Sequence, residues 1–575
     1  MKLQDYLPSL TWLRNYRKED IKGDLSAGLT VGVMLIPQGM AYAMIAGLPP
    51  IYGLYASTVP LILYALFGTS RQLAVGPVAM VSLLTAAGVG ALAEVGSQTF
   101  IALAITLALM VGLIQFLLGV FRLGFLVNFL SHPVISGFTS AAALIIGLSQ
   151  LKHLLGVNIE RSHHIHEILF QAFEQIGGIN WFTFGVGLGG IILIKGIKRI
   201  NRSIPGPLLA VLFGILVVYG FGLTEVGVAV VGTVPEGLPA FSLPSFDRES
   251  LSALLPVALT ISLVGFMESI AVAKAIQAKH RNYQVIPNQE LIGLGLANIG
   301  GALFQSYPVT GGFSRTAVND QAGAKTGLAS IISAVLIILT LLFLTPLFYY
   351  LPKAILASVI MVAVFGLIDI KEAIHLWKSN RTDFAMLLIT FVATLSLGIE
   401  QGIGVGVVLS LIMVIYRSTR PHYAILGNIP GTPYYRNTDR FEQLKEREDT
   451  LIFRFDADLY FANTSFFKEK LTEEIAGKKD TLKNVVISAE SISYVDSSAM
   501  HALEQVLEDL RKQDIRPLFS GVKGPLRDAL TRAHLMDKIG NESFFMNVED
   551  AMAYLDNESD TEQSTRHKYT MQTNL

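Results

Sequence analysis

Long apolar runs separated by short polar connections dominate this chain from residue 25 to residue 416. Runs long enough to cross roughly 30 Å of hydrocarbon read at about Leu25–Ala46, Tyr52–Phe67, Leu73–Leu92, Phe100–Val120, Phe125–Leu148, Trp181–Ile197 and Pro205–Phe221. A second half offers about Leu251–Lys274, Gln289–Phe304, Gly312–Ala322, Gly327–Tyr349, Pro352–Ile368, Asp383–Leu397 and Gly402–Tyr416. The pattern predicts a polytopic α-helical membrane protein of about fourteen spans, about seven per half. Several runs are too short or too rich in glycine for plain helices. Two are broken: Leu73–Leu84 by Gly76 and Pro77, and Phe304–Asn319 by Pro308, Gly311 and Gly312. Paired interrupted segments in the two halves of a membrane protein point to a transporter's binding site.

After Arg420 the pattern changes. Leu451–Phe455, Asn484–Ile487 and Pro517–Phe519 read as short buried strands, alternating with amphipathic helices at Thr464–Ile475, Ser498–Lys512 and Pro525–Ala533. The expected organisation is a cytoplasmic amino-terminal segment over 1–20 and a transmembrane domain over 21–420, with repeats at about 21–222 and 251–420. A small cytoplasmic α/β domain follows over 439–555, and a polar, disordered tail over 556–575.

Composition agrees with the pattern. Of 575 residues, 51% are hydrophobic and 15% charged, and mean hydropathy is +0.50, too apolar for a soluble protein. A net charge of −1 gives no field for nucleic acid. The lack of cysteine removes disulfides, thiolate metal sites and cysteine nucleophiles. The amino terminus carries mixed charges through Asp24 and does not read as a cleavable signal. Basic residues fall on alternate connections: Arg71, Arg122, Lys195–Arg202, Lys274–Arg281, Lys325, Lys371–Arg381 and Arg417–Arg420. By the positive-inside rule both termini are cytoplasmic, although the 149–180 connection also carries Lys152 and Arg161. The two broken segments are then entered from opposite sides, as inverted repeats with an odd number of spans require.

Few residues carry candidate chemistry. Arg315 lies between two apolar runs, where insertion costs about 2.5–3.5 kcal/mol near a bilayer centre. Ser314 and Arg315 follow the Gly311–Gly312 break, in the first turn of the next helix, where free backbone N–H groups add positive charge. The bland alternative is an arginine that snorkels to the interface. Glu268, within Leu255–Ala273, could exchange a proton or help to hold sodium, or could form a structural ion pair with Arg315 or Lys274. Gln38 follows Pro37 in a first span expected to be interrupted there, with Tyr42 one turn on along the same face. Its amide could donate to an anion or simply bond a neighbouring helix. Around Pro77, Val78 and Ala79 the side chains are small, leaving backbone N–H groups as donors. No nucleophile–base pair, metal constellation or phosphate loop is evident, so neither an enzyme nor a cofactor is expected.

The stretches MLIPQGMAYAMIAGLPPIYGLYAS, FGTSRQLAVGPVAMVSLL, VGFMESIAVAK and PVTGGFSRTAVN resemble the signatures of the sulfate permease anion transporters. The resemblance implies inverted repeats forming a core and a gate domain, with the third and tenth helices as half-helices whose amino ends meet at the anion. It implies an anion held among Gln38, Tyr42, Val78, Ala79, Ser314 and Arg315, with Glu268 as the cation-coupling acid. The stretch VVISAESISYVDSSAMHALEQVLEDL resembles the STAS domain of the same family. In its signalling relatives the serine equivalent to Ser497 is phosphorylated, whereas Asp496 or Ser497 could merely cap the helix. The family implies secondary transport of an inorganic oxyanion, sulfate first, coupled to protons or sodium, by a homodimer in the plasma (inner) membrane. Bicarbonate, chloride or dicarboxylate transport or exchange are the alternatives, followed by a nucleobase symporter or a STAS-driven receptor.

Overall fold

The computed structural model describes residues 7–125, 131–159, 165–200, 205–244, 247–280, 282–478 and 481–559. Arg161, Arg202 and Arg281 of the basic connections, and positions 560–575 of the expected tail, lie outside them. The chain forms two compact units, Met1–Leu411 and Ile412–Leu575.

In the first unit each apolar run is helical over at least part of its length. The principal helices are α1 (Lys18–Ala46), α2 (Ile51–Tyr55), α3 (Val59–Phe67), α4 (Ala79–Gly90), α5 (Gln98–Val120), α6 (His132–Ser149), α7 (Trp181–Ile200) and α8 (Gly206–Gly220). They continue as α9 (Arg248–His280), α10 (Pro287–Leu303), α11 (Phe313–Gln321), α12 (Leu328–Phe343), α13 (Lys353–Phe365), α14 (Arg381–Leu397) and α15 (Ile399–Thr419). Among the described residues six helical stretches are long and apolar enough to cross a membrane. Shorter apolar helices occupy five further runs, at Ile51–Phe67, Ala79–Gly90, Trp181–Ile197, Gly206–Gly220 and Leu328–Phe343.

Two expectations change. The first span is not interrupted: α1 runs unbroken through Pro37, because a membrane-type helix tolerates one lost hydrogen bond where neighbours pack around it. The second span does break, between α2 and α3, where Thr58 leaves helical geometry and Pro60 sits in the first turn of the new helix.

The unit has two packing groups. α1, α3, α4, α5, α9, α10, α11 and α12 pack on one another, as do α6, α7, α8, α13 and α14, and α1 also touches α8 and α13. Glycine permits a close approach between α5 and α10. A Cβ at Gly112 would lie 2.6 Å from the backbone nitrogen of Ile299, and one at Gly295 would lie 2.6 Å from that of Phe116. Small residues at such contacts let membrane helices meet backbone to backbone.

The broken segments meet. Strand β1 (Val75–Gly76) pairs antiparallel with β2 (Thr310–Gly311), in register Val75 with Gly311 and Gly76 with Thr310. Each strand leads into a short helix, β1 into α4 and β2 into α11.

The second unit holds a six-stranded sheet: β3 (Tyr423–Asn428), β4 (Tyr435–Asn437), β5 (Thr450–Phe455), β6 (Asn484–Ser488), β7 (Arg516–Ser520) and β8 (Phe544–Phe545). Its spatial order is β4-β3-β5-β6-β7-β8. Strands β5 to β8 are parallel, and β3 is antiparallel to both its neighbours. Helices α16 (Thr464–Gly477), α17 (Ser497–Lys512), α18 (Gly524–Arg532), α19 (Leu535–Ile539) and α20 (Val548–Ser559) cover it. Alternate residues of β5 serve opposite faces. Leu451, Phe453 and Phe455 join Phe467, Leu503 and Leu526 on one side, while Ile452 joins Val548, Met552 and Leu555 on the other. The sheet therefore begins before residue 439, and helix replaces the expected disorder over 556–559, because a sheet buried on both faces needs α20 as a cover.

Candidate functional site

The site forms where the two broken segments cross. Gly312, at φ −96° and ψ 126°, is the N-cap of α11, and Val78 is the N-cap of α4. The first N–H groups of both helices have no intrahelical acceptor. Arg315, in the first turn of α11, is 2% exposed. Its Nη1 donates to the carbonyl oxygen of Pro77 at 2.5 Å, tying α11 to the residue just before α4. Its Nε and Nη2 have no partner.

Glu268 of α9 keeps one buried carboxylate oxygen, Oε2, without a partner. No ion pair within 4.0 Å joins it to Arg315 or Lys274 among the described residues, yet Glu268, Tyr42 and Tyr307 all lie close enough to Arg315 to interact with its charge. Gln38 and Tyr42 are buried on α1, which packs on both α4 and α11, and the side-chain oxygen of Gln38 has no partner. Val78 and Ala79 are buried at the start of α4. Ser314 departs from the group: it is exposed while Arg315 points inward, since adjacent residues of a helix do not share a face.

Polar side chains that sequence reasoning passed over hold this crossing. Asn298 of α10 acts as a strand partner for Val309, accepting from its N–H at 2.8 Å and donating to its carbonyl at 3.0 Å. The same Asn298 amide donates to Gln115 of α5 at 3.1 Å, and Gln115 donates to the carbonyl of Ser262 on α9 at 3.2 Å. Ser269 accepts from the N–H of Gly311 at 2.8 Å and bonds Thr310 at 2.7 Å. Tyr307 meets Ser82 of α4 at 3.1 Å. From α11, Thr316 accepts from the N–H of Ala74 at 3.0 Å and Asn319 donates to the carbonyl of Gln72 at 2.8 Å. The first broken segment is therefore held largely by the second half of the chain, whereas the second is held mainly by α9 and α10 of its own half. The available signal was polar residues in apolar runs, which membranes conceal only when they are bonded.

In the second unit Asp496 caps α17, accepting from the N–H of Ala499 at 2.8 Å and from that of Phe461 at 2.9 Å. Ser497 is the exposed first residue of the helix. Among the described residues no three His, Asp or Glu side chains group as a metal site.

Residues 21–390 match the model of the sulfate permease family and residues 443–551 that of the STAS domain. Sulfate transporter 4.1, chloroplastic, of Arabidopsis thaliana is 42% identical over 96% of this chain and 83% of its own. A probable sulfate transporter of Mycobacterium tuberculosis (strain CDC 1551 / Oshkosh) is 36% identical over 95% of this chain and 97% of its own. Among solved structures, the murine Solute Carrier 26 family member A9 anion transporter in its inward-facing state superposes with a TM-score of 0.89 at 25% identity, covering 96% of this chain and 94% of that one. The transmembrane domain of a cyanobacterial bicarbonate transporter shares the fold, with a TM-score of 0.60 at 23% identity over 69% of this chain and 98% of that one.

Proposed function

Because the chain belongs to the sulfate permease family of anion transporters and carries a STAS domain, we propose that it moves an inorganic oxyanion, sulfate first, across a membrane by proton-coupled alternating access. The observation that carries this reading is the convergence of two helix amino ends on a buried arginine with two unpartnered nitrogens. Helix amino ends and guanidinium forks are both suited to tetrahedral oxyanions. The anion takes its bonds from Arg315 Nε and Nη2 and from the first N–H groups of α4 and α11. Gln38 joins once its amide turns its N–H groups inward, a rotation of 180° that exchanges oxygen and nitrogen. Val78 and Ala79 contribute backbone and small size, and Tyr42 a wall. Ser314 contributes its N–H rather than its side chain.

Glu268, close to Arg315 without touching it, takes up the proton that keeps the loaded site near neutral. The helices around the crossing then move as a body against the second packing group. The remainder of the reading is a homodimer in the plasma (inner) membrane with both termini cytoplasmic. Its STAS domain serves assembly and regulation, and Asp496 acts there as a cap.

Radiolabelled sulfate uptake into proteoliposomes, with competing anions and imposed pH or sodium gradients, tests the scheme. Arg315→Ala should abolish saturable uptake; unchanged affinity and rate would refute the site. Glu268→Gln should keep sulfate binding and lose pH-driven accumulation, and retained accumulation would remove its coupling role. Accumulation that follows sodium instead would move the coupling ion from proton to sodium.

A further inference from the structure

Two carboxylates outside the site are fully buried, have no cationic partner among the described residues, and have similar surroundings. Glu290, in the first turn of α10, accepts four hydrogen bonds. They come from the N–H of Thr69 at 2.6 Å, the Thr69 hydroxyl at 2.5 Å, the N–H of Ser70 at 3.0 Å and the Tyr64 hydroxyl at 2.5 Å. Asp24, near the start of α1, also accepts four. They come from the N–H of Lys325 at 2.7 Å, the N–H of Thr326 at 3.0 Å, the Thr326 hydroxyl at 2.6 Å and the Tyr16 hydroxyl at 3.1 Å. Each carboxylate thus grips a threonine-containing turn by two backbone N–H groups and the threonine hydroxyl, with a tyrosine hydroxyl from elsewhere as the fourth donor. The Thr69 turn leads into β1 and α4; the Lys325 turn follows α11.

Gln72 joins the two turns. Its buried amide donates to the carbonyl of Ala324 at 3.0 Å and accepts from the Tyr283 hydroxyl at 2.7 Å, while its own carbonyl accepts from Asn319 of α11. A continuous chain therefore runs from Glu290 through Thr69, Ser70, Gln72, Ala324 and Lys325 to Asp24. It clamps the start of one broken segment to the end of the other. A buried carboxylate without a cation is expensive unless fully hydrogen-bonded, so these two acids belong to the turns they hold.

We propose that Glu290, Gln72 and Asp24 are positioning residues for the anion site, setting the spacing between the amino ends of α4 and α11. The proposal rests on the anion-site reading above. Its force comes from geometry: Pro77 follows Gln72 closely in the chain, Gly312 caps the helix whose Asn319 bonds the Gln72 carbonyl, and a displacement of about 1 Å can cost on the order of a hundredfold in a site built on positioning.

The test is the sulfate KM of full-length protein in proteoliposomes, since KM is independent of the amount folded. Glu290→Gln keeps the shape but turns an acceptor into a donor facing Thr69 or Tyr64, and Gln72→Leu removes the bridge. Both should raise KM about tenfold, with turnover per folded molecule changed less than about threefold. Parental KM in either folded variant overturns the proposal. Should both fail to fold, Tyr64→Phe and Thr69→Val decide, each removing one hydroxyl while leaving the backbone bonds. A KM rise of about threefold upholds the clamp, and parental KM overturns it. Arg315→Ala runs in parallel. If it too transports normally the anion site is wrong, whereas its loss beside parental KM in the clamp variants sinks the clamp alone.

Discussion

Gly312→Ala is the sharpest probe of the crossing. At φ −96° and ψ 126° the backbone suits any residue, so conformational freedom does not explain the glycine. Space does. A Cβ there would lie 2.8 Å from Arg315 Nη2, 2.9 Å from its Cζ and 3.3 Å from its Nε. Relaxed contacts between such atoms begin near 3.5 Å, so the guanidinium must retreat by about 0.7 Å. The end of an arginine side chain can move that far without disturbing the helix, and replacing glycine by alanine at an N-cap costs under about 1 kcal/mol. The fold therefore survives. The bond from Arg315 Nη1 to Pro77, at 2.5 Å, does not survive with its present geometry. A hydrogen bond from a charged group is worth about 1.5–3 kcal/mol, or about ten- to hundredfold. Sulfate uptake efficiency, turnover divided by KM, should fall by that factor in proteoliposomes. The detergent-solubilised protein should meanwhile keep its melting temperature within a few degrees. Folded protein whose uptake efficiency stays within about twofold of the parent would refute the role given to Arg315.

Two predictions concern the STAS unit, read by denaturant titration with circular dichroism. Asp496→Ala should cost about 1 kcal/mol through the lost cap, whereas exposed Ser497→Ala should leave the midpoint unchanged; equal losses would contradict the cap assignment. The forked pair of Arg447 to Asp449, at 2.8 Å for both bonds, holds Asp449 down to about 2. A carboxyl lowered by folding stabilises above its unfolded value and loses that contribution as pH falls through the folded one. Arg447→Met should thus cost about 1 kcal/mol at pH 7, after allowance for screening of a pair whose side chains are 31% and 35% exposed, and progressively less as pH falls toward and through about 2. A cost independent of pH would assign the effect to packing.

The broad architecture was legible because it depends on run length. An apolar run of span length flanked by charge has few solutions in a bilayer, and the helices of the first unit follow the runs closely. Pro37 misled because proline's rule was learned in water: it removes one bond, and packing in α1 compensates it. The α/β unit was readable at β5, β6 and β7, whose buried residues are continuous. It was unreadable at the short β4 and β8, which owe their existence to a neighbour's edge. At the site, Arg315 and Glu268 announced themselves by charge in apolar sequence. Asn298, Gln115, Thr316 and Asn319 did not, since uncharged polar residues acquire meaning only from partners far along the chain. Asp24 was read as part of a mixed-charge terminus and is buried among four donors.

That contrast bears on how an anion would be felt by the protein. Arg315 does not wait wholly free for a ligand: one nitrogen is bonded to the opposite broken segment, and two are left. An oxyanion bound through those two is thereby linked to Pro77 and α4 as well as to α11. Affinity would then depend on the spacing of two segments that come from opposite halves of the chain and are joined by two residue pairs of sheet and by the bonds of Thr316, Asn319 and Tyr307. Any motion that shears β1 against β2 weakens the site, and any ligand that bridges α4 and α11 resists that shear. A bound anion would therefore favour movement of the whole crossing as one body over rearrangement within it, which is the condition rigid-body alternating access requires.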